Sequence, residues 1–238
     1  MTEASGFSRP LILGHRGAPR AATENTLAAF VAARDAGADG VELDVRRTGD
    51  DELVVHHDAT LATGQAIVEL PWAALSADHP EIPTLDRALV TCEGMVVNVE
   101  IKNWPTDPDF DPGQAVASAV ARKVAGRLGI VVSSFNQFAL DQVRAVDPAI
   151  EVGLLAAGIA PDGVPVWVRG AAERGYQGVH PEASMVNEAL MTAAREHGLA
   201  VRVWTVDDPE RARRLATLGV DAIITNDPVA VITALDTR

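Results

Sequence analysis

The chain has 238 residues, with 20 Lys and Arg against 33 Asp and Glu, a formal net charge of −13, and 47% hydrophobic residues. That length suits one barrel-sized domain rather than two of average size, and the hydrophobic share excludes a disordered chain. The acidic balance argues against nucleic acid or anionic membranes as partners, and any phosphate ligand must be met by locally concentrated positive charge.

In chain order, Leu11 to Gly17 reads as a first strand. Glu24 to Ala36 follows with Leu27, Phe30 and Val31 at the spacing of one buried helical face, and Asn25 as a capping residue. Gly37 and Gly40 break this helix ahead of a second strand, Val41 to Arg47. Thr48-Gly49-Asp50-Asp51 is a turn leading into a short hairpin strand, Glu52 to Asp58, and the weakly periodic stretch to about Pro83 reads as a long loop. Further strands are expected at 96–103, 130–135, 151–156, 177–181, 201–206 and 221–225, with helical patterns at 84–93, 114–128, 138–146, 166–174, 187–197 and 209–218. Strands alternating with helices imply βαβ units and a parallel sheet. Eight such units over 1–238 predict an α/β fold, a single (β/α)₈ TIM barrel with a hairpin strand and a long loop after its second strand.

Cys92 is the only cysteine, so no intrachain disulfide exists and a reducing compartment fits. The run MTEASGFSRP lacks the basic start and apolar stretch of an export signal, and no apolar segment approaches the roughly 20 residues that span a bilayer. A cytoplasmic protein without a membrane span is expected.

Side chains alternate across a strand, so parity sorts the polar residues. Glu42 and Asp44 share one face of the second strand, and Asn98, Glu100 and Lys102 share one face of the third, with Val, Leu and Ile on the opposite faces. Charges turned into a barrel interior are costly unless paired or bound to a metal. These lie late in their strands, where barrel enzymes place their sites. Ion pairs such as Glu100–Lys102 or Glu42–Arg46 are the plain alternative, but three converging carboxylates favour a hard divalent cation such as Mg²⁺ or Ca²⁺. A cation with Arg16 and Lys102 would neutralise a phosphodiester, and two histidines could exchange protons with nucleophile and leaving group. His15 and His57 are the candidates. His56 rivals His57, since neighbours on a strand face opposite ways. His79 and His197 read as structural, and His180 stands where it could line the barrel mouth.

HRGAPRAATENTLAAF (15–30), GADGVELDVRRTGDDELVVHHD (37–58) and VVNVEIKN (96–103) resemble, in order, three blocks of the glycerophosphodiester phosphodiesterase family, with weaker likeness in SSFNQFAL, VWTVDD and GVDAIITNDP. The resemblance implies hydrolysis of glycerophosphodiesters to sn-glycerol 3-phosphate and an alcohol. It implies His15 and His57 as acid and base, Glu42, Asp44 and Glu100 as metal ligands, Arg16 and Lys102 as phosphate ligands, and Trp204 as an aromatic at the pocket rim. Thr23 stands where the family usually has Pro, and ATLATGQAIVEL lacks the family's Arg-Thr-Thr-like element. Both departures bear on which diester is preferred. A lysophospholipase D or phosphoinositide-cleaving barrel would need an apolar route for acyl chains, and no amphipathic membrane-binding helix is visible. A non-catalytic phospho-ligand-binding protein would be expected to lack a histidine or a carboxylate, and none is missing.

Overall fold

The computed structural model describes residues 9–237, so most of the N-terminal run read above for an export signal lies outside the described residues. Runs of Val, Ile and Leu become the strands, in chain order β1 (Leu11–His15), β2 (Gly40–Arg47), β3 (Leu53–Val55), β4 (Val96–Ile101), β5 (Ile130–Ser134), β6 (Glu151–Ala156), β7 (Gly178–Pro181), β8 (Ala200–Val203) and β9 (Ala222–Thr225). The helices are α1 (Leu27–Asp35), α2 (Trp72–Asp78), α3 (Leu85–Thr91), α4 (Ala115–Val124), α5 (Gln137–Val146), α6 (Val164–Glu173), α7 (Glu188–Glu196), α8 (Pro209–Leu218) and α9 (Pro228–Asp236). β1 pairs in parallel with both β2 and β9, which closes eight parallel strands into a barrel, and β3 lies antiparallel along the end of β2. This is the expected TIM barrel with its hairpin strand.

Two local readings need correction. The stretch after β3 is not only loop, because it holds a 3₁₀ turn, Ile67–Glu69, and the two-turn α2. Its apolar side chains form a small cluster of their own with Val54, Leu61, Ile67, Leu75 and Ile82. The first helix starts at Leu27, capped by Thr26, whose side chain accepts from the Ala29 N–H. Asn25 is therefore not the cap.

Outward-facing strand residues such as Val41, Leu43, Val97, Val99 and Val132 pack with the helices into the main core. Inside the barrel the filling is divided. Leu13, Ala222 and Ile224 form an apolar plug, while Asn98 donates to Ser133 Oγ at 3.0 Å and His180 fills the space left by Gly153, where a Cβ would lie 2.2 Å from its Nε2. His180 is fully buried, its imidazole kept well below its ordinary pKa by burial and then by Arg202. It belongs to the barrel interior and not to the mouth.

Candidate functional site

Parallel register sets the carboxylates side by side. Glu42 pairs with Asn98 and Asp44 with Glu100 across β2 and β4, so inward parity places three acidic side chains on two adjacent strands. One oxygen from each of Glu42, Asp44 and Glu100 lies within 4.8 Å of the others, and all three residues are buried. Among the described residues this is the one group of His, Cys, Asp and Glu arranged to hold a metal ion.

The three acids are not equivalent. Asp44 accepts from Asn25 Nδ2 at 2.8 Å, lies 3.2 Å from Arg16 Nε and lies 3.0 Å from Lys102 Nζ. Burial alone would raise its pKa, but Lys102 and Arg16 outweigh burial and hold it at about 2. Glu42 makes no ion pair with Arg16 or Lys102, whose charges act on it only weakly. Its Oε2 accepts the Arg16 backbone N–H at 3.0 Å, while its Oε1 is buried without a hydrogen bond. Burial, then Asp44 and Glu100, push the Glu42 carboxyl well above its ordinary range. Glu100 is raised too, by burial first and Asp44 second, against the pull of Lys102 Nζ at 2.6 Å. Lys102 is held in its charged form by Glu100 and Asp44 in spite of burial. The expected Glu100–Lys102 ion pair therefore exists, yet it does not satisfy the set. Glu42 Oε1 is buried without a partner, and the single Lys102 ammonium is shared by Asp44 Oδ1 and Glu100 Oε1, so the all-oxygen set fits a divalent metal.

The turn after β1 delivers the basic groups. Arg16 adopts a left-handed conformation at φ 56° and Gly17 at φ 89°, where an added Cβ would lie 2.6 Å from the Ala29 carbonyl carbon. This tight turn aims the Arg16 N–H at Glu42 and its guanidinium at Glu24 and Asp44. His15 Nδ1 meets Asn226 Oδ1 at 2.8 Å, and Asn226 donates from Nδ2 to Asp207 at 2.8 Å. Asn226 can then only accept from His15, so a neutral His15 carries its proton on Nδ1 and presents an unprotonated Nε2, 3.9 Å from Glu42 Oε2. His57 Nδ1 instead meets the Asp58 carboxylate at 2.7 Å. Burial first, with Arg16 for His15 and Lys102 for His57, lowers both imidazoles from their ordinary values. Arg16, Asp44 and Lys102 act electrostatically on both rings. His56 turns its Nδ1 to the Asp58 carbonyl, 2.9 Å away. Trp204 is half-buried, donates from Nε1 to the His180 carbonyl at 2.7 Å and stands edge-on to Phe135 with ring centroids 5.6 Å apart.

Three supports lie outside the sequence expectation. Asn25 holds Asp44 from both sides, its Oδ1 accepting the Asp44 N–H at 3.3 Å. Arg46 does not pair with Glu42. It donates from Nε to the His57 carbonyl at 2.8 Å and from Nη1 to Asp109 at 2.7 Å and Asp107 at 3.0 Å, tying the loop after β4 to the backbone of His57. Asp207 braces Asn226 behind His15. The one sequence sign of these roles is the shared parity of Arg46 with Glu42 and Asp44 on β2.

A barrel whose strand ends gather three buried carboxylates, two basic side chains and two oriented imidazoles defines the class of metal-competent phosphoester-processing TIM barrels. Residues 15–230 match the model of the glycerophosphoryl diester phosphodiesterase family. The chain belongs to that family. It is 32% identical to a glycerophosphodiester phosphodiesterase of Caldanaerobacter subterraneus subsp. tengcongensis, over 94% of this chain and 97% of that one. Its fold matches an Oleispira antarctica phosphodiesterase solved with its product sn-glycerol-3-phosphate, at TM-score 0.83 and 27% identity, covering 96% of this chain and 98% of that one. A Thermotoga maritima glycerophosphodiester phosphodiesterase matches at TM-score 0.82 and 27% identity, over 95% and 98% of the two chains.

Proposed function

We propose that this protein hydrolyses glycerophosphodiesters to sn-glycerol 3-phosphate and an alcohol, as one catalytic unit. The observation that carries the reading is the buried Glu42–Asp44–Glu100 triad with His15 Nε2 3.9 Å from Glu42 Oε2. Glu42, Asp44 and Glu100 would hold a divalent ion, with Mg²⁺ and Ca²⁺ the hard cations that suit an all-oxygen set. Bound there, such an ion would supply charge neutralisation at the phosphoryl oxygens. Arg16 and Lys102 contribute further positive charge to the phosphate, and Trp204 offers a ring face to the organic part of the diester.

Hydrogen bonding divides the proton work. His15, with Nδ1 committed to the neutral Asn226, presents a lone pair and serves as base toward the attacking hydroxyl, that of water or of the neighbouring glycerol. His57, backed by the Asp58 carboxylate, is better stabilised as imidazolium and donates to the departing alkoxide. No helix among the described residues is long and apolar enough to cross a membrane. With its single thiol buried, the chain suits the cytoplasm.

A product assay on a panel of glycerophosphodiesters, with chelator and after readdition of Mg²⁺ or Ca²⁺, tests the reading. Glycerol phosphate released only with the divalent ion is the expected result. Release undiminished by chelator would remove the metal from the mechanism, and no release from any diester would remove the activity.

A further inference from the structure

β3 is three residues long, and its ladder with β2 ends at the Val45–Val55 pair. One further bond, from the His56 N–H to the Asp44 carbonyl at 3.0 Å, carries the chain past the strand end. His57 then lies in a bend, where among the described residues no backbone–backbone hydrogen bond reaches it. Its ring bonds to the adjacent Asp58, whose side chain is 71% exposed and gives little anchorage. A firmer contact comes from a distant strand residue: Arg46 Nε donates to the His57 carbonyl at 2.8 Å. The group read above as the acid is thus placed through a buried guanidinium.

Arg46 is itself clamped. The loop after β4 carries Asp107, Asp109 and Asp111 at alternate positions, with Pro108 and Phe110 between them. Asp111 is used within the loop, its carboxylate accepting the N–H groups of Gly113 at 3.0 Å and Val116 at 2.9 Å. The other two converge on Arg46, whose Nη1 donates to the two Asp109 oxygens at 2.7 and 2.9 Å and to Asp107 at 3.0 Å. The Arg46 and Asp109 side chains are 5% and 2% exposed, so water does not compete for these charge-assisted bonds. Asn103 pins the base of the same loop, accepting the Asp111 N–H at 2.8 Å and donating to the Asp111 carbonyl at 2.9 Å. The planar guanidinium therefore passes the position of a braced loop on to the backbone of His57. A lysine could not, because one ammonium on a flexible stem lacks the rigid fork.

We infer that Arg46, backed by Asp109 and Asp107, is a positioning residue for the protonation of the leaving group: it sets where the His57 imidazole stands relative to the departing oxygen. This rests on the phosphodiesterase reading above and deepens it, by making the loop after β4 part of the acid's support. A buried ion pair adds little net stability over an apolar filling of the same volume, so what distinguishes Arg46 is the geometry it imposes. Proton transfer needs donor and acceptor within hydrogen-bond reach, and a displacement of about 1 Å costs on the order of 10²-fold in rate. The effect of Arg46 runs through His57, so its size follows how much the leaving group needs a proton.

The test measures kcat and KM on glycerophosphocholine and on the p-nitrophenyl ester of glycerol 3-phosphate, with Mg²⁺ or Ca²⁺, in wild type, Arg46→Lys and His57→Ala. Arg46→Lys keeps a cation beside Asp109 and loses the fork. Its kcat on glycerophosphocholine should fall by about tenfold or more, with KM within about twofold of wild type, while kcat on the p-nitrophenyl ester falls by less than about threefold. Asp109→Asn keeps the shape of the loop and weakens its hold on Arg46. It should shift the ratio of the two rates in the same direction, and it keeps the test open if the lysine variant misfolds. An Arg46 that only stabilised the fold would lower both rates by one factor, the fraction folded, and that result would overturn the inference. A selective loss in Arg46→Lys without one in His57→Ala would also overturn it, since Arg46 would then not act through His57. No hydrolysis of either ester by wild type would instead overturn the phosphodiesterase reading beneath it.

Discussion

Glu42→Gln, studied in the chelated protein, probes the electrostatics of the triad directly. The buried Glu42 carboxyl has one unbonded oxygen and a pKa raised well above its ordinary range by burial, Asp44 and Glu100. Below the unfolded value of about 4.3, both states carry the proton and its contribution to stability is complete. As pH rises, the unfolded chain releases the proton first, and folding must hold a proton that water would take. Stability then falls, by up to about 1.4 kcal/mol per pH unit, until the raised folded pKa is passed. For a chain of this size that corresponds to roughly 3–5 °C of Tm per pH unit. E42Q has no proton to hold, so its Tm should rise relative to wild type from about pH 4.5 upward. His15 and His57 are lowered and act in the opposite sense just below their ordinary value, but they are common to both proteins. Asp44, held at about 2, loses its contribution only as pH falls below 3.8, outside the window. Differential scanning fluorimetry in chelator from pH 4 to 9 measures the divergence. Added Mg²⁺ or Ca²⁺ should reverse its sign by binding the ionised wild-type triad more tightly than the variant's. Parallel Tm curves for the two proteins would refute the argument.

Other consequences follow from the hydrogen bonds around the site. His57→Ala should cost about 10²- to 10⁴-fold in kcat on an alkyl-alcohol diester and less than tenfold on a p-nitrophenyl diester, whose phenolate leaves without a proton. Equal losses on both would assign the acid elsewhere. Arg46→Met removes the cation from buried Asp109 and the donor from the His57 carbonyl, so unfolding stability should drop by about 3–5 kcal/mol in urea titrations. Arg46→Lys should recover part of that loss. Cys92 is buried, and burial pushes its thiol up to about 12. A colorimetric disulfide reagent at pH 8 should therefore leave it unmodified until denaturant is added.

The barrel and its acidic triad were legible because both depend on period. Eight apolar runs separated by helical patterns leave few alternatives, and parity alone turns Glu42, Asp44, Glu100 and Lys102 to one side. Parity says which face a residue takes, not which partner it meets. Asn25 with Asp44, Arg46 with Asp109 and Asn226 with His15 join positions brought together only by barrel closure and loop course. α2 buries only Leu75, too little for a helical period to show. The cavity walled by Trp104, Phe110, Phe135 and Phe138 is assembled from the loops after β4 and β5 and the start of α5, so no single segment announces it.

A charge argument connects the triad to its two basic neighbours. Ionised, the three carboxylates outweigh Arg16 and Lys102 by one negative charge, which adds to burial, the larger cause, in raising the pKa of Glu42 and Glu100. A divalent ion at the triad would invert the imbalance to one positive charge, which the single negative charge of a phosphodiester cancels. Arg16, now shared between Glu24 and Asp44, and Lys102, shared between Glu100 and Asp44, would be released toward phosphate as the ion takes over the carboxylates. Attack on phosphorus adds a second negative charge, and the site then needs one more cation close by. An imidazolium at His57, held by Asp58, supplies it at the leaving oxygen. Metal affinity and phosphate affinity are on this account linked through Asp44, each strengthening the other, which a set of permanent ion pairs would not do.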